Sequence, residues 1–263
     1  MKALAIIAAL LIAVLPVRGD GEALLSAVYG AWSQSAGGGG GGLPEWMPSN
    51  CVAYYPMTDA TSELCPDATG NGWDLYCTNA VKPTVVDGVA TFLSWDTHWK
   101  LNDSVIVGAQ DWSISFWARV SANDAEWNAT VGCIQTSQGQ GTSYLSFRNA
   151  SKDYSRIILW YYNVKSDSYY PGVPLTNKWV HVVMIHQEST KQFAIDTYGV
   201  RAGGLVGGNT ANAENPIYNF QIGLGIAGEI DDVIIFDRLL DVSESASIFA
   251  ATSNNYPGPY AMP

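Results

Sequence analysis

The chain has 263 residues, is 48% hydrophobic and only 14% charged, and its 24 acidic against 13 basic residues give a net charge of −11. With no basic cluster, that balance excludes nucleic acid as a main ligand, because a phosphate backbone is bound through neutralising Lys and Arg. The length suits one all-β domain with extra ends, since such sandwiches run past about 200 residues as one unit.

Residues 1–19 read as a secretory signal peptide. Lys2 precedes the apolar run 3–15, then come Pro16, Val17, Arg18 and Gly19, with Val17 and Gly19 as the small residues before a cut. The run is 13 residues long, short of the roughly 20 that cross a bilayer. No stable membrane span is expected, and the mature chain is placed outside the cell or on its surface. Residues 20–48 read as a flexible linker around the consecutive glycines 37–42, because glycine loses the most backbone entropy on ordering. The domain is expected over 49–255, and 256–263 form a tail that opens with Tyr256, Pro257, Gly258 and Pro259.

Cys51, Cys65, Cys77 and Cys133 all lie in the exported part. An even number of cysteines in an oxidising compartment suggests disulfides. Cys65 with Cys77 is favoured, since that bond closes a short loop around 67–73, which leaves Cys51 with Cys133. Buried free thiols are the alternative. Zinc is not expected, because there is no C-x-x-C pair and no histidine nearby.

From residue 50 onward apolar and polar residues alternate, with turn residues every eight to twelve positions. Strands are expected at 52–57, 85–93, 112–120, 130–135, 144–148, 156–162, 179–186, 192–197, 220–223 and 229–236. The clearest is 112–120, with Ile114, Phe116, Ala118 and Val120 on one face and Ser113, Ser115, Trp117 and Arg119 on the other. Over 229–236 strict alternation puts Glu229, Asp231 and Val233 together, opposite Ile230, Asp232 and Ile234. A late helix is expected at 242–251, capped by Ser243. Strands followed by one helix, without βαβ alternation, indicate a sandwich.

The aromatic residues are concentrated between Tyr154 and Tyr170. Trp160, Tyr162, Tyr169 and Tyr170 are candidate ligand-binding residues, since Tyr and Trp join an apolar ring to a polar edge. The alternative is a sandwich core built of large rings. His98, His181 and His186 are the only histidines, and His181 between Val180 and Val182 reads as a core residue rather than a general base. Asn102, Asn128 and Asn149 begin N-x-S/T sequons, which matter only in a host that glycosylates them.

Three segments in order carry a resemblance: Asp67-Ala68-Thr69-Gly70-Asn71-Gly72, Trp179-Val180-His181-Val182-Val183, and the run from Gly228 through Asp231 and Asp232 to Leu240. Together they resemble the laminin-G-like branch of the concanavalin A-like lectin/glucanase superfamily. The resemblance implies an all-β fold, a two-sheet antiparallel jelly-roll sandwich with a short C-terminal helix. It also implies a site for structural Ca²⁺ where the early acidic turn approaches the late strand, at Asp67, Asn71 and Asp232, with Asp59, Asp74 and Asp231 as further candidates. Trp73 stands where the family usually has Asn. Residue by residue, Asp67 and Asn71 equally suit an Asx-type turn that bonds its own backbone. The family usually has a tight D-G hairpin turn after Asp196, and Thr197-Tyr198-Gly199 departs from it.

The superfamily includes glucanases whose signature strand carries E-x-D followed by a second Glu. Here Glu229 and Asp231 are present and the second Glu is missing, so the retaining mechanism lacks its positioned pair. The sequence therefore points to a non-enzymatic binding module for a glycan or another extracellular polymer. The alternatives are an adhesive surface protein that packs against other surface proteins without binding sugar and, less favoured, a glycoside hydrolase.

Overall fold

The computed structural model describes residues 43–93, 97–101, 104–106, 110–121, 128–129, 144–148, 156–161, 164–169, 177–190, 192–201, 206–207, 217–218, 220–223 and 226–256. Its strands run in the order β1 (Cys51–Tyr55), β2 (Leu64–Cys65), β3 (Leu75–Tyr76), β4 (Thr84–Val86), β5 (Val89–Phe92), β6 (Trp99–Lys100), β7 (Ser104–Ile106), β8 (Trp112–Val120), β9 (Asn128–Ala129) and β10 (Tyr144–Arg148). They continue with β11 (Arg156–Tyr161), β12 (Val164–Tyr169), β13 (Trp179–Gln187), β14 (Gln192–Thr197), β15 (Val200–Arg201), β16 (Val206–Gly207), β17 (Ile217–Tyr218), β18 (Gln221–Ile222) and β19 (Gly228–Phe236). One helix, α1 (Val242–Thr252), follows.

Among the described residues the main sheet has nine strands. It runs β15-β14-β13-β8-β19-β5-β4, with β1 added on β19 and β16 on β14. Every pairing is antiparallel, and the sheet β18-β6-β3-β2 forms a facing layer. The core fills the space between them: Phe116 and Ala118 from β8, Val182 and Met184 from β13 and Ile230 from β19 meet Trp99, Leu75 and Ile222. This is the expected two-sheet antiparallel sandwich, and the faces of β8 are those that its alternation predicts.

Three local features differ from the sequence reading. The expected strand 85–93 is a hairpin, in which Val86 pairs with Val89 across Asp87 and Gly88, both at positive φ (50° and 79°). Such primed turns match the right-handed twist of the flanking strands. The hairpin after Asp196 turns the same way through Tyr198 and Gly199 (φ 51° and 74°), so that Asp196 pairs across the ladder with Arg201 instead of entering the turn. At α1 the cap is Asp241, not Ser243: Asp241 accepts the Glu244 N–H at 2.8 Å while Glu244 accepts the Asp241 N–H at 3.1 Å. A carboxylate at that position reaches the third amide of the helix and completes a capping box. Arg238 ties this end down by a bidentate pair with Glu244 and two bonds to the Ser49 carbonyl, each 3.1 Å.

The second face of the main sheet is also buried, because α1 and the segment beyond it lie across it. Ser113 Oγ donates to the Arg238 carbonyl and accepts the Leu240 N–H, both at 2.9 Å. Trp117 Nε1 donates to Thr252 Oγ1 at 2.8 Å, and Tyr256 stacks on the Trp117 ring with centroids 4.2 Å apart. At Gly199 the sheet lies close against the helix: a Cβ there would stand 2.7 Å from Ala246 Cα. Gly72 shares the positive φ (84°) but faces open space. Gly199→Ala is therefore expected to destabilise by about 3 kcal/mol, strain plus overpacking, against about 1 kcal/mol for Gly72→Ala. Chemical denaturation of both variants checks the difference, and equal losses would mean that the helix gives way.

Candidate functional site

Strand β19 carries the acidic residues and does not alternate evenly. Asp231 lies opposite Trp117 and Ile234 opposite Ser115, so two residues intervene on β19 where β8 has one. The extra residue is Asp232, at φ 48°. Such a β-bulge advances the register by one and exchanges the faces beyond it. Val233 and Ile235 consequently enter the core while Ile234 and Phe236 join the cluster under α1. Strict alternation placed these four the other way round, and it also put Asp232 opposite Asp231. In the structure Asp232 is buried on the α1 side, where its Oδ1 accepts the Tyr54 hydroxyl at 2.9 Å and its Oδ2 the Tyr256 hydroxyl at 2.8 Å. Its N–H donates to Asp231 Oδ1 at 2.8 Å. Burial pushes the Asp232 carboxyl up, the two hydroxyls working against it, and burial followed by the charge of Asp232 does the same to Asp231.

Glu229 lies on the row Trp179, Arg119, Glu229, Thr91, which the ladders carry across four strands. Arg119 grips it with Nε and Nη2 and lies over the Trp179 ring at 5.4 Å. Both are only partly covered, with side-chain exposures of 38% and 21%. Above them opens a cleft of about 370 Å³, walled by Thr91, Leu93, Ser121 and Asn177. Sequence reasoning had Glu229 but not its partner. Arg119, on the face of β8 opposite the core, is the signal that register would have brought to it.

The early turn is a hydrogen-bonded knot around Asp67. Its Oδ1 accepts the backbone N–H groups of Tyr54 (3.1 Å) and Thr69 (3.0 Å), and its Oδ2 the Thr69 hydroxyl (2.7 Å) and the Trp73 N–H (3.3 Å). Asn71 turns its Nδ2 to the Val52 carbonyl at 2.8 Å. Asp74 accepts the Asp67 N–H at 2.8 Å. Asp67 and Asp232 bond opposite ends of Tyr54, one its backbone N–H and the other its phenol. Of the expected calcium set, Asp67 accepts four donors, Asp232 one hydroxyl on each oxygen, and Asn71 is engaged through its Nδ2. Among the described residues no group of three or more His, Cys, Asp or Glu is arranged to hold a metal. The Asp67 carboxylate closes an Asx-type turn on the Thr69 N–H.

Cys51, Cys65 and Cys77 are free thiols, which corrects the expected Cys65–Cys77 bond. The β2–β3 ladder sets Cys65 against Leu75, and the Cys77 N–H bonds the Glu63 carbonyl, so the two cysteines are diagonal neighbours. Diagonal Cα atoms stand about 7–8 Å apart, beyond the about 4.4–6.8 Å of a disulfide. Cys65 Sγ contacts Met57 Sδ at 3.5 Å instead. Cys133, the expected partner of Cys51, lies outside the described residues. So do Tyr162 and Tyr170 of the aromatic set. Trp160 is on β11 opposite Tyr144 and Lys165, and Tyr169 on β12 opposite Ile157.

His181 is fully buried beneath α1, with Nε2 3.0 Å from Ser115 Oγ and its ring against Trp117 and Phe249. Burial pushes its pKa down to about 3. It is a core histidine, closed off from any substrate.

Residues 93–244 match the laminin-G-type family model of the concanavalin A-like lectin/glucanases superfamily. A search of curated proteins returns no match. Among solved structures the chain is similar to a Trypanosoma rangeli sialidase (TM-score 0.63, 13% identity), covering 87% of this chain and 39% of the sialidase. It is similar to domain 4 of AbnA, an extracellular arabinanase from Geobacillus stearothermophilus solved with arabinotriose (TM-score 0.57, 17% identity, 76% of this chain and 98% of that one). It also resembles the ligand-binding domain of botulinum neurotoxin serotype D, solved with N-acetylneuraminic acid (TM-score 0.58, 15% identity, 77% and 51%). At these identities the likeness is one of fold, and the chain spans well under half of the sialidase.

Two outcomes follow from this geometry. Because Asp67 and Asp232 already hold their donors, EDTA is expected to leave the melting temperature unchanged, and a fall would reveal a bound cation that stabilises the native state. The second concerns pH. With a native pKa of about 3 against about 6.5 when unfolded, His181 contributes stability that is whole above pH 6.5 and is lost as pH falls toward 3. The carboxyls of Asp231 and Asp232, raised in the fold, act in the opposite sense, so the His181 contribution is read by difference. Relative to His181→Gln, the wild type should lose about 1.4 kcal/mol per pH unit between pH 6 and 4. Denaturant titrations across that window check it, and parallel pH profiles would show that His181 takes up its proton in the native state.

Proposed function

The chain belongs to the concanavalin A-like lectin/glucanases superfamily, and from that membership we propose that it is an exported, non-catalytic binding module for a carbohydrate or another extracellular polymer. The observation that carries this reading is the state of the two carboxylates a hydrolase would use. Glu229 is held by Arg119 through one hydrogen bond to each carboxylate oxygen. Asp231 bonds the Asp232 N–H beside the buried tyrosines. Retaining hydrolysis asks instead for two carboxyls about 5–5.5 Å apart with one of them protonated and free.

Carbohydrate as the ligand class is supported by the sugars found with the arabinanase domain and the neurotoxin domain, and by a cleft that joins planar polar side chains to apolar ones. Binding sites of this kind fix orientation with a few polar groups and gain affinity from the apolar wall. Trp160, Tyr162, Tyr169 and Tyr170 remain a second proposed contact surface for an extended polymer. Export rests on the signal-like residues 1–19.

A glycan array followed by calorimetry on the strongest polysaccharide should give saturable binding. Incubation with that polysaccharide should release no reducing sugar. Turnover that vanishes in Glu229→Gln would overturn the non-catalytic reading, and silence across the array would leave adhesion to other surface proteins as the function.

A further inference from the structure

We propose that the cleft over Arg119 and Glu229 is a subsite for a neutral sugar, which it recognises through two adjacent hydroxyl groups. The proposal rests on the glycan-binding reading above and adds to it a place and a ligand chemistry.

The ladders put Arg119 and Glu229 side by side on one face, between Trp179 and Thr91. Their bidentate pair uses Nε and Nη2 of the guanidinium and one bond to each carboxylate oxygen. That leaves the Nη1 donors of Arg119 and further lone pairs on Glu229 for a ligand. A vicinal diol matches this floor, since each hydroxyl both donates and accepts: one sugar oxygen takes an N–H while its own proton goes to the carboxylate. Asn177, which gives its backbone N–H to the Val120 carbonyl, and Thr91 are polar residues of the wall. Leu93, 63% exposed, supplies an apolar surface for the C–H face of a ring.

Charge decides between sugar classes. Among the described residues that line the cleft Arg119 is the only cation, and Glu229 already neutralises it. A sugar carboxylate would have to displace Glu229 or lie against it, and two like charges in one site disfavour each other. N-acetylneuraminic acid, found with the neurotoxin domain, therefore does not suit this cleft, while a neutral pentose or hexose does. The floor is also preorganised. Arg119 rests on Trp179, and Gly228 lets β19 close on β8, since a Cβ there would fall 2.3 Å from the Arg119 carbonyl oxygen. Side chains that are already fixed lose less entropy when a ligand arrives.

The test is a titration of the isotope-labelled exported chain by NMR with arabinotriose, maltotriose and cellotriose as neutral probes and N-acetylneuraminic acid as the anionic one. At least one neutral probe should shift the Arg119 Nε–H and Asn177 side-chain signals, and the acid should not. Affinity for that probe should fall at least tenfold in Asn177→Gly, which keeps the positive φ of Asn177 (56°), and in Thr91→Val, with amide spectra that show both variants folded. A neutral probe that binds with shifts elsewhere, or with the same affinity in both variants, overturns the subsite and leaves glycan binding intact. Shifts here from N-acetylneuraminic acid overturn the neutral preference. Failure of every probe in the titration overturns the subsite, and silence on the glycan array as well removes the reading beneath it.

Discussion

The extra residue at Asp232 is the constraint on which the main sheet turns. Strand β19 keeps β8 on one edge along its length, but on the other edge it pairs with β5 through Gly228, Glu229 and Ile230 and with β1 through 233–236. The exchange of partner falls at the bulge. The bulge leaves one residue unpaired, and its left-handed backbone (φ 48°) is best tolerated by Gly, Asn or Asp. Burying its carboxylate without partners would be strongly unfavourable. Tyr54 from β1 and Tyr256 from beyond α1 provide those partners, so one side chain ties an edge strand, a central strand and the C-terminal segment together. Their hydroxyls occupy the oxygens that a cation would otherwise require.

The same arrangement explains where, among the described residues, the cover on the sheet's second face ends. A face with Ser113, Ser115, His181 and Asp196 would ordinarily be wet. Here it is dry, because α1 and the turn that leads into it satisfy Ser113, and Arg201 pairs with Asp196. The cover reaches the row of Trp117 and Asp231, where Tyr256 stacks on Trp117 and touches Trp179. One row further along, Arg119 and Glu229 stay partly exposed. The cleft is thus the part of the second face where the chain's own cover ends, floored by side chains fixed through strand register.

Much of this was legible in the sequence. The alternation of 112–120 gave the faces of β8 correctly, the extents of β10 and β14 were read to the residue, and the three family-like segments identified the sandwich. What failed shares a cause: single-residue backbone events that alternation does not encode. The bulge at Asp232 reversed every face assignment beyond it. The Asp87-Gly88 turn was hidden inside an apolar run, although a D-G dipeptide between β-branched residues is a strong hairpin signal. The disulfide argument counted loop length and missed that register makes Cys65 and Cys77 diagonal. Arg119 was placed on the correct face, but its partner could be named only once the register between β8 and β19 was fixed.

Glu229 and Asp231 are two residues apart on one face of one strand, yet they occupy different worlds. Glu229 has a cation, solvent and a cleft beside it. Asp231 is buried beside a second carboxyl, and burial followed by the charge of Asp232 raises its affinity for a proton, with Tyr256 working against them. Freeing Glu229 would leave Arg119 uncompensated over Trp179, and opening Asp231 would take Tyr256 off both Asp232 and the Trp117 ring. Each step breaks a contact that also holds the fold together. Strand register thus fixes a floor of paired charges at Arg119 and Glu229, beside a buried acidic pair whose partners tie the sheet to the C-terminal segment.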